Sequence, residues 1–349
     1  MHDNFKIGTR NIGATSEPYI IAEVGINHNG SLSTALEMID VAKSSGADAV
    51  KFQTFKAEEF CGDPEQQFTY LSAGKEVTES MLTMFKRMEL QSEDWLKIKE
   101  YADKLGIEFF STPQNYSDLE LLLPLGIQVI KVGSDDLTNL PLIRRYATSG
   151  LPIILSSGMS NLGEIYAGIE AAGWYQGNQV AVLVCTSLYP TPSTDVNILR
   201  VSTLRAAFPN LVVGFSDHSQ SNAAAIMATA LGARIFEKHF TLRHDAEGPD
   251  HWFSTSPEEL KSWVKSIRES FTLLGSGELI PSPLELANKS EFQRVLVALN
   301  AVAKGQEFNN LNVGPRRVSG GHGLPPAFMD TLEGKRASKP YGIGDVIEI

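Results

Sequence analysis

The sequence predicts an α/β protein whose main part is a (β/α)8 (TIM) barrel, followed by a small, mainly β C-terminal unit. Three observations lead to this prediction. Apolar runs typical of buried strands alternate with amphipathic helical patterns, eight such runs occur between about residues 18 and 275, and their polar residues gather at the strand ends. A doubly wound open sheet also contains this alternation and is the alternative fold.

The strand-like runs are short, apolar and bounded by turn residues. They begin at Pro18, Ala47, Ile107, Gln128, Pro152, Gln179, Leu211 and Ala233. Between them lie helical patterns, of which the clearest cover residues 34–43, 95–104, 164–172 and 223–231. Several follow a Ser or Asn and end near a Gly, as helix caps require. In a barrel of this kind the catalytic groups lie at the carboxyl ends of the strands, so we expect the site there.

The character of the sequence changes after Ser276. Residues 276–293 are rich in Pro, Gly and Ser and are predicted to link a first domain, 1–275, to a second domain, 294–349. The second domain alternates short β-like runs with turns and is too short to hold a large core. Its glycine-rich loop carries Arg316 and Arg317, which are either solvated surface charges or cations that the loop contributes to a substrate site.

Composition and charge argue against several classes of protein. The net charge of -11 disfavours binding to the phosphate backbone of nucleic acids. No apolar run reaches about 18 residues, and the N-terminal segment lacks an apolar secretion signal, so we expect a cytoplasmic protein without a membrane partner. Cys61 and Cys185 are far apart and lack a Cys-x-x-Cys partner, which predicts free, buried or half-buried thiols.

Two apolar strands run directly into a histidine, in the segments GFSDH ending at His218 and FEKH ending at His239. Because side chains alternate along a strand, Ser216 shares a face with His218, and Glu237 shares a face with His239. If the strands are neighbours, two imidazoles and a carboxylate converge with room for water and substrate, as in an open catalytic metal site. The alternative is that each histidine merely ends its strand.

Two lysines, Lys51 and Lys131, lie inside apolar strands. Burying a lysine costs several kcal/mol unless an anion or a carboxylate pairs with it. The pair therefore indicates a bound anion or, alternatively, internal salt bridges for which Glu23 is the obvious partner. Small hydroxyl side chains beside these lysines suit the oxygens of phosphate and carboxylate groups.

Motifs of one family occur in order over nearly the whole chain. The barrel segments are IIAEVGINHNGS, VKFQTF, STP, KVGSDDLTNLPLI, PIILSSGM, CTSLYPTP, GFSDHS, EKHFTL and GPDH. They resemble the successive motifs of the sialic acid (nonulosonic acid) synthase family. The C-terminal segments LVALNAVAKGQEF and GKRASKPYGIGDVI, with the Arg-rich loop between them, resemble the antifreeze-like (SAF) domain of that family.

The resemblance implies a reaction and a cofactor. Members condense phosphoenolpyruvate with an N-acyl hexosamine, such as N-acetylmannosamine or a 2,4-diacetamido-6-deoxy sugar, and release phosphate. They need a divalent metal, commonly Mn²⁺, with Mg²⁺ or Co²⁺ as the other options. The arginine that Arg317 matches reaches a neighbouring subunit's site, so the resemblance also implies a domain-swapped homodimer.

The resemblance assigns roles to single residues. His218 and His239 match the metal-binding histidines, and Glu23 matches an essential acidic residue beside the reacting carbons. Lys51, Lys131 and Glu237 complete the predicted catalytic group. The predicted substrate-binding residues are Gln53, Thr112, Ser134, Asp136, Ser156, Ser187, Tyr189, Ser216, Asp250 and Arg317.

Two positions depart from the N-acetylneuraminate enzymes toward the legionaminic acid branch: Ser187 stands where asparagine is common, and Asp135-Asp136 replaces a Gly-Glu pair.

Two other functions are kept as alternatives to the synthase. A Schiff-base aldolase would use a buried lysine as nucleophile and requires neither histidine. A catalytically inactive sugar-binding or coat-polysaccharide assembly protein would be expected to have lost an essential group, such as Glu23.

Overall fold

The computed structural model describes residues 5–348, and the chain divides into two compact units after Gly275. The strands of the first unit are β1 (Phe5–Ile7), β2 (Arg10–Ile12), β3 (Tyr19–Gly25), β4 (Ala49–Thr54), β5 (Gln67–Ser72), β6 (Lys75–Ser80), β7 (Glu108–Pro113), β8 (Ile130–Val132), β9 (Ile153–Ser156), β10 (Val180–Cys185), β11 (Val212–Ser216) and β12 (Ile235–His239).

One parallel sheet of eight strands dominates this unit, in the order β7-β4-β3-β12-β11-β10-β9-β8. The strands at the two ends of this order, β7 and β8, contact each other, so the sheet closes on itself. Each strand of the sheet lies beside the next one along the chain, which is the arrangement of a (β/α)8 barrel. The predicted barrel is therefore confirmed, and the open doubly wound sheet is wrong.

Helices connect the barrel strands and pack against their outer faces. They are α1 (Leu32–Ser44), α2 (Ala57–Phe60), α3 (Met81–Met88), α4 (Ser92–Leu105), α5 (Tyr116–Leu122), α6 (Leu140–Ala147), α7 (Leu162–Ala171), α8 (Arg200–Ala207), α9 (Asn222–Ala230) and α10 (Pro257–Leu274). The predicted helices correspond to α1, α4, α7 and α9, which begin slightly upstream of the apolar pattern. Within residues 5–348, no helix is long and apolar enough to cross a membrane.

The amino end of the barrel is closed by an antiparallel hairpin of β1 and β2. Its side chains Phe5, Ile7 and Ile12 are buried in one cluster with the first inward-facing residues of the barrel strands, such as Ile21 and Ile154. Apolar packing therefore fills this end, and the opposite, carboxyl end is left for a site.

A second antiparallel hairpin, β5 and β6, is inserted after β4 and α2. Most of its residues are exposed or half-buried. The backbone amide of Gly248 donates a hydrogen bond of 3.0 Å to the buried Ser72 hydroxyl of this hairpin. This bond ties the hairpin to the loop that follows β12.

The second unit has a small core of its own, which includes Leu296, Phe308, Val313, Tyr341 and Ile347. Its strands β13 (Val295–Ala298) and β14 (Val313–Arg316) pair antiparallel, and its helices are α11 (Pro283–Phe292) and α12 (Met329–Leu332). The stretch assigned to a linker thus contains a helix, which begins with a capping box of Ser282 and Glu285.

Candidate active site

Strand register brings the predicted catalytic residues together at the carboxyl end of the barrel. Glu23 of β3 is the register partner of Lys51 on β4 and of His239 on β12. On the next strand pair, Ser216 of β11 lies opposite Glu237 of β12. Parallel strands that end at the same level therefore place these polar side chains in one layer.

This layer borders a cavity of about 410 Å³. The predicted residues that line it are Glu23, Lys51, Gln53, Thr112, Lys131, Ser134, Ser156, Ser187, Tyr189, Ser216, His218, Glu237 and His239. Residues that the sequence analysis did not assign also line it, among them Phe85, Gln114, Asp135, Met159 and Cys185.

Three of the predicted substrate-binding residues do not line this cavity. The carboxylate of Asp136 accepts a hydrogen bond of 2.9 Å from Asn139, the N-cap of α6, whereas its neighbour Asp135 lines the cavity. Asp250 lines an adjoining cavity. Arg317 lies in the second unit, where its guanidinium carbon is 5.6 Å from the ring centroid of Phe292.

A network of buried charges occupies the floor of the cavity. The ammonium of Lys51 lies 2.8 Å from the Glu23 carboxylate and 3.6 Å from that of Glu237. Lys51 also donates a hydrogen bond of 2.9 Å to Thr112. Lys131 has a more distant carboxylate partner, Glu237, at 3.6 Å. Internal salt bridges thus satisfy Lys51, whereas Lys131 has more capacity to pair with an added anion.

The pKa shifts follow this unequal pairing. Burial alone would lower the pKa of Lys51, but Glu23 and Glu237 outweigh it and hold the pKa above its ordinary value. Burial lowers the pKa of Lys131, and Glu237 offsets that effect only in part. An anion beside Lys131 would therefore stabilise its charged form.

The two glutamates shift in opposite directions. Burial raises the pKa of Glu23 to about 7, although Lys51 acts against this rise. Burial alone would also raise the pKa of Glu237, but Lys131 and Lys51 outweigh it and lower the pKa to about 2. Two carboxylates in one cavity with widely separated pKa values are typical of catalytic sites.

The histidine pair lies at the rim of the same cavity, with ring centroids 5.7 Å apart. The Nδ1 atom of His218 lies 2.8 Å from the carbonyl oxygen of Thr186, which directs its Nε2 atom away from that carbonyl. The Nδ1 atom of His239 is buried and has no hydrogen-bond partner within residues 5–348. Gly25 has a φ of +55°, and a Cβ there would lie only 3.3 Å from the His239 ring.

These residues fit a divalent metal with two protein ligands. Imidazole nitrogen is a good ligand for such ions, and the unpartnered Nδ1 of His239 is available to one. The carboxylate expected as a third ligand, Glu237, is instead engaged by Ser216 at 2.8 Å and by the lysines. Within the described residues, no group of three or more His, Cys, Asp and Glu side chains is placed to hold a metal.

Serine hydroxyls also line this cavity. The hydroxyls of Ser156 and Ser187 are buried without a hydrogen-bond partner among residues 5–348. A Cβ at Gly158 would lie 2.2 Å from the Ser187 hydroxyl and 2.7 Å from that of Ser134, so only glycine keeps this space open. Unsatisfied buried hydroxyls in the same cavity as Lys131 suit the oxygens of an anionic ligand.

Cys185 is a cavity residue whose role the sequence did not indicate. Its sulfur lies 3.8 Å from Nδ1 of His218. Burial raises the pKa of the thiol, but His218, Ser134 and Lys131 together outweigh burial and the pKa falls below its ordinary value. Cys185 and Cys61 are both free and buried, as the spacing predicted.

Fold and site together define a (β/α)8-barrel protein with a charge-paired polar cavity suited to an anionic substrate. The sequence pattern of the NeuB family matches residues 38–279. An N,N'-diacetyllegionaminic acid synthase of Legionella pneumophila is 37% identical over 352 aligned residues, which cover 99% of this chain and 98% of the relative. The chain therefore belongs to the NeuB family.

Two further relatives agree with this membership. A pseudaminic acid synthase of Campylobacter jejuni is 33% identical over 97% of both chains. The crystal structure of an N-acetylneuraminic acid (sialic acid) synthetase from Leptospira borgpetersenii, in complex with citrate, has a TM-score of 0.74 and 32% identity. That match covers 83% of this chain and 96% of the other. These three relatives are thus synthases of sialic-type acids.

Proposed function

We propose that the protein is a nonulosonic acid synthase, which condenses phosphoenolpyruvate with an N-acyl hexosamine and releases phosphate by cleavage of a C–O bond. The observation that carries the proposal is one cavity that combines the Lys51–Glu23 ion pair, the less fully paired Lys131, two unpartnered serine hydroxyls and two histidines. The names of the relatives support the class of reaction.

Phosphoenolpyruvate carries the two anionic groups that this cavity suits. Lys131 and the hydroxyls of Ser156 and Ser187 offer charge and hydrogen bonds to phosphate or carboxylate oxygens. Lys51 holds Glu23 in place and adds a second positive charge. These groups act by position and electrostatics, and no lysine becomes covalently attached.

Bond formation requires the open-chain sugar aldehyde beside carbon 3 of phosphoenolpyruvate. As carbon 3 attacks the aldehyde carbon, the aldehyde oxygen takes a proton and carbon 2 gains cationic character. The Glu23 carboxylate stabilises that charge and accepts a proton from the water that adds to carbon 2. The tetrahedral centre then expels phosphate and becomes the 2-keto group of the product.

His218 and His239 are the residues that would hold a divalent metal, for which Mn²⁺ is our first choice. A bound ion supplies Lewis-acid polarisation of the aldehyde oxygen. Gln53, Tyr189 and Asp250 lie around the two histidines and are proposed to hold the sugar hydroxyls. We further propose that Arg317 of a second copy completes the site in a domain-swapped homodimer.

A Schiff-base lysine is the second candidate mechanism, because burial lowers the pKa of Lys131 and the neutral amine is the nucleophile in such enzymes. Reduction with borohydride in the presence of pyruvate, whose ketone can form a Schiff base with an amine, separates the two mechanisms. The synthase mechanism predicts no mass added to the protein, whereas a trapped adduct on Lys131 would support the aldolase.

The proposed function is tested by phosphate release from phosphoenolpyruvate, with and without Mn²⁺, over a panel of N-acetylmannosamine, its 6-phosphate and 2,4-diacetamido-6-deoxy sugars. We expect metal-dependent release with at least one sugar and none without sugar. An absence of release with every sugar in metal-loaded protein would contradict the synthase proposal and leave the aldolase or a binding protein.

A further inference from the structure

A second cavity, of about 390 Å³, adjoins the active-site cavity. The two share wall residues, namely Gln53, Phe85, Tyr189 and His239. The two cavities are therefore neighbours, and a ligand bound at the charged floor lies next to the walls of the side cavity.

The side cavity is lined mainly by aromatic and aliphatic side chains. Phe68 and Tyr70 of β5 stack with ring centroids 5.7 Å apart and an angle of 25° between their planes. Across the cavity, Phe253 lies 5.7 Å from Trp252 and 5.0 Å from Tyr189. Such walls favour methyl and acyl groups, which lose water when they bind.

The charges around the side cavity oppose a phosphate. Asp250 contributes a carboxylate, and no Lys or Arg within residues 5–348 lines this cavity. The nearby Arg87 is held by both carboxylate oxygens of Glu79, at 2.6 and 2.9 Å, and donates to the Tyr70 hydroxyl at 3.2 Å. A phosphate in the side cavity would lose its hydration without gaining a cation.

We propose that the side cavity binds the distal end of the acceptor and selects a neutral, apolar end, as in N-acylated 6-deoxy hexosamines, over a sugar 6-phosphate. This inference rests on the proposed function and specifies its substrate class. The hairpin of β5 and β6 is the specificity element, because it provides one wall and is tied to the loop after β12 by the Ser72–Gly248 hydrogen bond.

The first test compares kcat/KM for three acceptors at saturating phosphoenolpyruvate. We expect 2,4-diacetamido-2,4,6-trideoxymannose to exceed N-acetylmannosamine by about 10- to 200-fold, the range for small groups in apolar pockets. N-acetylmannosamine 6-phosphate should be the poorest acceptor. If the 6-phosphate is the best acceptor of the wild-type protein, the inference is wrong.

The second test uses variants of the hairpin. Phe68→Ala removes an apolar wall at a partly exposed position, so we expect about a tenfold loss of kcat/KM for the 6-deoxy acceptor and an unchanged KM for phosphoenolpyruvate. Thr69→Lys adds a cation to the side cavity and should raise kcat/KM for the 6-phosphate about tenfold. Equal effects of either variant on all acceptors would overturn the proposed selectivity.

Val77→Lys is the matched control for Thr69→Lys. Val77 lies on the partner strand β6 and lines a different cavity, so the same added charge should leave the order of acceptors unchanged. Thermal melting of all variants checks folding.

Calorimetric titration of metal-loaded protein with the 6-deoxy sugar and the 6-phosphate separates this inference from the proposed function. If no acceptor supports turnover but the 6-deoxy sugar alone binds and Phe68→Ala weakens it, the synthase proposal fails and the selectivity stands. Tighter binding of the 6-phosphate overturns the selectivity whatever the turnover.

Discussion

Glu23 and Lys51, register partners on neighbouring barrel strands, form an ion pair of 2.8 Å in which both side chains are almost completely buried. Each group needs the other, because an uncompensated charge at this depth costs several kcal/mol. The pair fixes a carboxylate beside the place where the proposed reaction develops positive charge. The ion pair of Glu23 and Lys51 is thus both a structural contact and part of the proposed catalytic group.

Glu23→Gln tests the proposed role of this carboxylate. We expect phosphoenolpyruvate to bind within a few-fold of wild type while kcat falls by about 10²- to 10⁴-fold, the usual effect of a catalytic acid or base. Calorimetry gives binding, and saturation kinetics gives turnover. The exposed Glu170→Gln on α7 is the control and should change neither. Lost binding with unchanged kcat would make Glu23 a binding residue only.

The histidine pair is tested by His218→Ala and His239→Ala. Each variant should lose metal binding and turnover with little change in melting temperature, because each removes a side chain at the barrel rim. The partly exposed His244→Ala is the control and should retain both properties. A His218 or His239 variant with near wild-type activity in metal-free buffer would rule out the metal assignment.

Glu237→Gln tests how much the buried charge network contributes to the free energy of unfolding. The change removes the carboxylate nearest Lys131 and the second partner of Lys51, so we expect the free energy of unfolding in urea to fall by about 3 kcal/mol at neutral pH. Because Lys131 and Lys51 lower the pKa of Glu237 from its ordinary value of 4.5 to about 2, the difference from wild type should shrink progressively as pH falls between these two values. A loss well below 1 kcal/mol at pH 7 would mean that the network contributes little.

The pH dependence of kcat/KM follows from Glu23. Burial raises its pKa to about 7, and the proposed mechanism uses the ionised form, which predominates above that pKa. The profile should therefore rise with pH and level off above about pH 7, and the residual activity of Glu23→Gln should lack this limb. If kcat/KM of the wild-type protein does not change from pH 6 to 8, ionisation of Glu23 does not control activity in this range.

Subunit complementation tests the proposed domain swap. His218→Ala and Arg317→Ala should each be inactive, but after subunit exchange one of the two mixed sites has an intact barrel and an intact arginine loop. We therefore expect activity to return in part. If mass measurements confirm exchange and no activity returns, Arg317 serves its own barrel or is not the contact.

The barrel and most of the site were predictable because strand alternation and the polar strand ends are local features of sequence. Lys51 and Lys131 stood out as charges inside apolar runs, and His218 and His239 as histidines at strand ends. The contacts of Glu237 could not be read from its own strand. Only the order of β11, β12, β3 and β4 in the sheet brings its carboxylate to Ser216 and Lys51.

Other features of the structure could not be predicted, because their sequence patterns are too short or too irregular. The strands β1 and β2 have three residues each, too few to establish an alternation. In β5 and β6 polar residues occur on both faces, so nothing indicated a cavity wall. Asp135 and Asp136 are adjacent in sequence, and only the loop conformation decides which one faces the cavity.

The central claim is that phosphoenolpyruvate loses phosphate by C–O cleavage as it joins the sugar. The most direct measurement uses phosphoenolpyruvate labelled with ¹⁸O at the bridging oxygen, incubated with metal-loaded protein and 2,4-diacetamido-2,4,6-trideoxymannose, with mass analysis of both products. The account predicts a new 2-keto acid with the combined carbon skeleton and all of the label in the released phosphate. Label retained in the keto acid, or phosphate released without a condensed product, would contradict it.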